Sequence, residues 1–312
     1  MDISNITCVG AGLIGQGWAT LFSAKGYQLI LQDIDKAFLE DSVQQIKSNL
    51  ILLEKNGLID AGEADAAIKR IKTNTNLAEA VSQADYVQES IPDDLTLKKQ
   101  IFKEINAAVP DHTILASSTS GLLMTEIQKA TANPSRCVLV HPVLPVYLIP
   151  LVEIVGGDLT SPKTVTAAYK LMEKLGKTPV LLKKEVPGYI INRLQAALMR
   201  EAFDLVATGV ASAEDVDKAF CKGIGLRDPF IGPLLRAHLA GNGIENFLKN
   251  YDQSYRNRWQ TMATWTAVPS STAKAVIQGV KEMEVINRKN IEEIKNWRDN
   301  NLLKLLKITD ND

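Results

Sequence analysis

The sequence predicts a doubly wound α/β domain over residues 1–187, followed by a smaller all-helical domain over residues 188–312. Three observations carry this. Short β-branched runs alternate with amphipathic segments from residue 5 to about residue 186. A glycine cluster, GAGLIG, sits where the first run turns into the first helix. Strand signals largely disappear after Pro187 and Gly188.

In chain order, ITCVG, QLILQ, DYVQES, TILASS, CVLVHP, PLVEIV and TPVLL read as strands of a mostly parallel sheet with helices on both faces. One helix has clear bounds: Ser161 as N-cap, Pro162 at the first helical position, Val165, Tyr169 and Met172 among its apolar positions, and Gly176 at its end. TPVLL then closes the sheet. In YIINRLQAALMREAFDLVATG, Ile190, Leu194, Leu198 and Leu205 share roughly one helical face. SAEDVDKAF offers Ser212 as N-cap with Asp215 three residues on, and VKEMEVINRKNIEEIKNWRDNNLLKLLKI reads as one charged helix running to the end. There is no internal repeat and no low-complexity linker.

Composition narrows the function classes. The 312 residues are 46% hydrophobic and 23% charged, ordinary for a globular protein. The 35 basic and 36 acidic residues are interspersed and leave a formal charge of −1, so charge makes no case for nucleic acid or a membrane as partner. A small-molecule ligand is expected. Cys8, Cys137 and Cys221 are odd in number and widely spaced, which fits reduced thiols better than a disulfide framework or a metal site. No apolar run approaches the roughly 18–20 residues that span a bilayer. MDISNITCVGAG enters a strand with no charged region or cleavage signal, so a cytoplasmic location is expected.

Gly10, Gly12 and Gly15, with Leu13 and Ile14 between them, stand at a strand-to-helix turn. One glycine permits the tight turn, the next lets backbone approach a pyrophosphate, and the third allows close helix–strand packing. The anion would sit on the free N–H groups of the helix N-terminus. Asp33 ends QLILQD 21 residues after Gly12, where a carboxylate accepts both ribose hydroxyls and repels a 2′-phosphate. A Rossmann-type NAD site is expected. In the competing reading the glycines serve packing alone and Asp33 caps a turn.

Hydride transfer to a carbonyl leaves an alkoxide that must gain a proton, a task suited to a group with a pKa near neutrality. His141 and Glu153 lie twelve residues apart in HPVLPVYLIPLVEIV, enough for one strand to end, a loop to cross and the next strand to bring the glutamate alongside. The carboxylate would fix the imidazole tautomer and stabilise its protonated form. The alternative is a structural histidine and a glutamate paired with some lysine.

SSTSG, HPVLP, PLVEIV and GYIINRL, in this order after GAGLIG, resemble the L-3-hydroxyacyl-CoA dehydrogenase superfamily. The likeness covers nearly the whole chain and is closer to the free-acid branch of lambda-crystallin (L-gulonate 3-dehydrogenase) and L-carnitine dehydrogenase. It implies that His141 is the general acid or base and Glu153 its orienting partner. It implies that Ser120 bonds the substrate oxygen, that Asn192 contacts substrate and histidine, and that Asp93 and Lys98 approach the cofactor, with Asp93 one methylene shorter than the family's glutamate. The chief departure is Leu144, which stands where the family's His-x-x-Asn-Pro has asparagine. Three explanations stay open: an engineered substitution, divergence toward a more apolar substrate, and loss of catalysis.

Arg227 in GLRDPFIGP is the candidate anchor for a substrate carboxylate, against a plain salt bridge with Asp228. Tyr147, Tyr251, Tyr255, Trp259 and Trp265 are candidates to wall a pocket or cage a quaternary ammonium, against core or dimer interface. The leading functional reading is an NAD-dependent 3-hydroxy acid dehydrogenase. A second is a reductase of cyclic imines or hydrophobic ketones, and a third is a non-catalytic NAD-binding structural protein. The resemblance further implies a homodimer through residues after about 190, an active site in the interdomain cleft and a hinge near Pro187 and Gly188.

Overall fold

The structure of the protein, a computed structural model, describes residues 3–309. It divides into two compact units, Met1–Asn192 and Arg193–Asp312. The division falls a few residues past the one expected at 187. Ile191 and Asn192 open a helix, yet they hydrogen-bond to Glu153 and Ser120 of the first unit and stay with it.

The first unit begins β1 (Asn5–Val9), α1 (Leu13–Ala24), β2 (Gln28–Gln32), α2 (Lys36–Lys55), α3 (Glu63–Lys69), β3 (Ile71–Asn74), α4 (Leu77–Val81) and β4 (Tyr86–Glu89). It continues α5 (Leu95–Ala108), β5 (Ile114–Ser117), α6 (Met124–Gln128), β6 (Cys137–Pro142), β7 (Leu151–Val155), α7 (Pro162–Lys174) and β8 (Thr178–Leu181). Among the described residues the strands form one eight-stranded sheet in the order β3-β2-β1-β4-β5-β6-β7-β8. Every neighbouring pair is parallel except β6 and β7.

Both faces of the sheet are covered, which explains the near-continuous apolar strands. Along β6, Val138 and Val140 belong to a core with Trp18, Phe22 and Met172, while Cys137 and Leu139 belong to a second core with Phe102 and Ile105. That two-residue alternation sends successive side chains to opposite faces. α7 has the bounds expected: Ser161 Oγ accepts from Thr164 N–H at 3.1 Å, and Gly176 takes a left-handed φ of +77°.

β3 is absent from the strands read in the sequence. IKTN is a short edge strand, half-buried only at Ile71 and Asn74, and shows no apolar alternation. Its place beside β2 comes from the crossover connection, not from its own pattern.

The second unit is helical: α8 (Ile191–Ala207), α9 (Ala213–Ala219), α10 (Pro233–Gly241), α11 (Ile244–Trp259), α12 (Ser270–Glu282), α13 (Glu284–Arg288) and α14 (Ile291–Thr309). The single charged helix expected at the C-terminal end is instead three. Met283 and Lys289 take extended backbone. Asn290 then restarts the chain with a capping box: its side chain accepts from Glu293 N–H at 3.0 Å, and Glu293 accepts from Asn290 N–H at 2.8 Å. The Asn-x-x-Glu signal is present in the sequence, masked by a charge periodicity that runs through it. Within the single chain α8, α10 and α11 bury no residue, and Leu194 on the expected apolar stripe of α8 is 58% exposed. No helix among the described residues is long and apolar enough to cross a membrane.

Candidate active site

The glycine turn joins β1 to α1, and each glycine has a different reason to be one. Gly10 has φ +93°, and a Cβ there would lie 2.8 Å from Ser90 O. A Cβ on Gly15 would lie 1.8 Å from Gly10 O, so α1 could not close on the turn. Gly12 differs, because a Cβ there meets nothing within 4 Å. The space above it is open, and as N-cap of α1 it contributes no side-chain cap to the first N–H groups. Those free donors fit a pyrophosphate. Leu13 is 73% exposed beside them, and Ile14 is half-buried against the core. Asp33 follows β2, and its Oδ2 accepts from Ala11 N–H at 2.8 Å, tying the acid to the turn. The residues present therefore fit a dinucleotide.

His141 and Glu153 are directly paired across the antiparallel β6–β7 ladder. His141 Nδ1 lies 2.8 Å from Glu153 Oε2, and the two residues are 5% and 1% exposed. The other carboxylate oxygen, Oε1, accepts from the N–H groups of Ile190 and Ile191 at 2.8 and 3.1 Å. Glu153 thus holds the N-terminus of α8, where the helix dipole favours a negative charge. Burial pushes its carboxyl up, but the His141 hydrogen bond, the two backbone donors and the charge on His141 outweigh it and hold it below the usual carboxylate range. An ionised Glu153 makes Nδ1 the donor, which leaves Nε2 for proton exchange. Among the described residues no hydrogen-bond partner engages Nε2.

Tyr189 escapes sequence reasoning. It is fully buried, its ring centroid is 5.3 Å from that of His141, and its hydroxyl donates to Leu122 O. Its φ of +47° turns the chain so that the next two N–H groups meet Glu153. The one available hint is its place after Pro187 and Gly188.

Ser120 donates from both N–H and Oγ to Asp93 Oδ2, at 3.1 and 3.0 Å, and its carbonyl accepts from Asn192 Nδ2 at 3.2 Å. Lys98, implied to approach a cofactor, is 1% exposed, and its ammonium is taken by Glu89 Oε1 at 2.6 Å and Ile91 O at 3.0 Å. Asp93 lies 3.5 Å away. Asp93 thus links the buried Lys98 to Ser120. One chain of contacts runs His141, Glu153, the start of α8, Asn192, Ser120, Asp93 and Lys98.

Leu144 is 50% exposed on the loop between β6 and β7, in a cis peptide with Pro145. The loop packs on α1 because Gly17 has no side chain: a Cβ there would lie 2.7 Å from the Val146 Cβ. Lys177 braces the loop from behind, donating from Nζ to the carbonyls of Val146 and Ile149. Burial pushes its ammonium down to about 7. An unfolded lysine titrates near ~10.4, so between these values the unfolded chain holds the extra proton and stability rises with pH. Urea unfolding from pH 7 to 9 should therefore show a steeper gain in stability for the native chain than for Lys177→Met; equal slopes would remove Lys177 as the cause.

In the second unit Arg227 is exposed, and the alternative bridge to Asp228 does not form, because Asp228 pairs with Arg236 at 2.6 Å. The aromatic cage does not form within that unit either. Phe247 stacks on Tyr251, Tyr255 packs on Trp259, and Arg258 covers the Tyr255 ring at 4.3 Å, all along α11. Trp265 donates to Asp204.

The profile of the 3-hydroxyacyl-CoA dehydrogenase NAD binding domain matches residues 5–186, and that of the 3-hydroxyacyl-CoA dehydrogenase C-terminal domain matches residues 188–284. The chain is 34% identical over 304 residues to the lambda-crystallin homolog of Homo sapiens, covering 97% of this chain and 95% of that one. It is 37% identical over 307 residues to L-carnitine dehydrogenase of Pseudomonas sp, covering 97% and 93%. Among solved structures, 5-formyl-3-hydroxy-2-methylpyridine 4-carboxylic acid 5-dehydrogenase, an NAD+ dependent dismutase, superposes with a TM-score of 0.83 at 29% identity, covering 98% of this chain and 97% of that one. (S)-3-hydroxybutyryl-CoA dehydrogenase from Ralstonia eutropha gives 0.67 at 30% identity, covering 82% and 88%.

Proposed function

This chain belongs to the 3-hydroxyacyl-CoA dehydrogenase family and is an NAD-dependent oxidoreductase, and from that premise we propose that it interconverts the 3-hydroxy and 3-keto forms of a small free acid. The observation that carries the reading is the Glu153 carboxylate, held between His141 and the first N–H groups of α8. NAD, when bound over the glycine turn and Asp33, supplies the hydride chemistry. His141 Nε2 gives a proton to the nascent alkoxide in reduction and takes it back in oxidation. Glu153 keeps Nδ1 protonated and balances the imidazolium. Ser120 commits its proton to Asp93, so Oγ presents lone pairs suited to a substrate hydroxyl, and Asn192 keeps Oδ1 free as a second acceptor. Lys98 and Asp93 are positioning residues. Arg227, a guanidinium without an acid partner among the described residues, is the carboxylate anchor of this proposal.

A free acid fits better than a thioester because the chain matches, over nearly its full length, proteins named for free acids: L-carnitine dehydrogenase at 36% identity and the pyridine carboxylic acid enzyme at a TM-score of 0.83. One observation favours a second reading. The exposed Leu144 offers methyl groups where the family has an amide, which suits cyclic imines or hydrophobic ketones.

NADH oxidation against 3-keto acids, dehydrocarnitine, acetoacetyl-CoA and cyclic imines separates these readings. We expect free 3-keto acids to be reduced with kcat/KM at least tenfold above acetoacetyl-CoA. Leu144→Asn should raise that value about tenfold more, the worth of roughly one hydrogen bond. Turnover of imines alone would establish the second reading, and no turnover by either protein the non-catalytic one.

A homodimer through the second unit is part of the proposal. Phe230, Leu234, Leu239 and Trp259 are 57–80% exposed there, an apolar surface unusual for a monomer. Light scattering should give twice the chain mass, and a monodisperse monomer would end this part of the reading. A cytoplasmic location also belongs to it, supported by three free thiols.

A further inference from the structure

A cavity lies at the other end of the sheet from the glycine turn. Gly10, Asp33, Asp93 and Ser120 all follow the C-terminal ends of parallel strands, whereas Tyr27, Ile114 and Arg136 stand at the N-terminal ends of β2, β5 and β6. A five-residue strand separates the two ends by roughly 16 Å. The cavity holds about 590 Å³, within the range of small-molecule sites.

Two observations point to a ligand there. Among the described residues, the buried side-chain polar atoms without a hydrogen-bond partner are Tyr27 Oη and Arg136 Nε, and both residues line this cavity. Each residue is 6% exposed. The other guanidinium nitrogens of Arg136 are engaged, Nη1 by Pro110 O at 2.6 Å and Nη2 by the Asn106 carbonyl and side chain, so the group is fixed, with the Nε hydrogen and the second Nη1 hydrogen left over. Buried donors are nearly always satisfied, and one that is not calls for a partner.

The second observation is charge. Lys163, Lys170 and Lys174 project from one face of α7 into the same cavity, and none has an acid partner among the described residues. Lys174 also lies over the Tyr27 ring at 5.5 Å. Against these three lysines and Arg136 stands one acid, Asp111, while the neighbouring His112 is engaged by Asp85. Such a concentration of positive charge on a chain of formal charge −1 selects for several negative charges on the ligand. Ile114 and Leu171 supply an apolar floor.

We propose that this cavity binds an organic polyphosphate of the nucleoside triphosphate class, with phosphates on Lys163, Lys170 and Lys174 and with Arg136 Nε and Tyr27 Oη donating to its oxygens. The site is independent of the dinucleotide turn and of the substrate chosen there.

The test is calorimetric titration of the full chain with ATP and with tripolyphosphate, without divalent cations and under saturating NADH. ATP should bind under NADH, tripolyphosphate should bind at least fivefold more weakly, and the triple variant K163Q/K170Q/K174Q should lose at least tenfold in ATP affinity. Absence of binding, displacement by NADH, or unchanged affinity in the triple variant would overturn the site. Tripolyphosphate binding as tightly as ATP would overturn the nucleoside class. A second readout needs no variant: the Arg136 Nε–H resonance should shift on adding ATP, and a resonance that stays put would refute its assigned role.

Discussion

Glu153→Gln should lower kcat by about 10³–10⁴-fold while leaving NADH affinity within about twofold of the native value. The amide can present its NH2 to His141 Nδ1 and so select the tautomer that places the ring proton on Nε2, the wrong nitrogen for accepting one. It also removes the charge that balances an imidazolium. Its oxygen can still accept from Ile190 and Ile191 N–H, so the fold should survive. Glu153→Ala removes that acceptor too and strands two helix donors and Nδ1 in a buried site, which should cost about 3–5 kcal/mol. Steady-state kinetics, NADH fluorescence titration and urea unfolding separate these effects; a Glu153→Gln enzyme within tenfold of native kcat would remove the pair from the mechanism. The acid limb of stability supplies an independent check. Although burial opposes it, the folded Glu153 pKa is depressed by His141 and the two N–H groups. Its stabilisation is therefore present above the unfolded value of ~4.3 and lost as pH falls through the folded one. Glu153→Gln should accordingly lose less stability than the native chain on acidification below pH ~4.

Gly15→Ala and Gly12→Ala should fail in different ways. A methyl on Gly15 falls 1.8 Å from Gly10 O and 2.9 Å from Gly10 C, backbone that can yield only by moving α1 off the turn. The expected cost is about 3 kcal/mol or more in urea unfolding, with NADH binding lost as a consequence. A methyl on Gly12 touches nothing, and its φ of −67° suits any residue. Stability should change by no more than ~1 kcal/mol, the scale of an N-cap substitution. NADH affinity should nevertheless fall at least tenfold, because the methyl occupies the space in which the pyrophosphate approaches backbone. Native-like NADH binding by Gly12→Ala would place the dinucleotide elsewhere.

Features set by short-range sterics and periodicity were legible in the residues alone. The alternation of strands and helices, the glycine turn with Asp33 at the next strand end, the Ser161 cap and the change to helices after Gly188 are all local, and each has the place its residues predict. The edge strand at Ile71–Asn74 and the breaks at Met283 and Lys289 were not legible, because partner position and cap geometry outweigh a weak apolar or charged pattern there. How the polar groups of the site are shared out depends instead on long-range packing. His141 faces Glu153 because the β6–β7 register makes them a pair, and the second oxygen of Glu153 holds α8 because Tyr189 turns with positive φ. Lys98 is spent on Glu89, Ser120 on Asp93, and Gly17 is reserved for Val146, each partner lying in another element. A buried polar group must find a partner, and which one it finds depends on register, loop path and helix docking, none of which is encoded at the position of the residue itself.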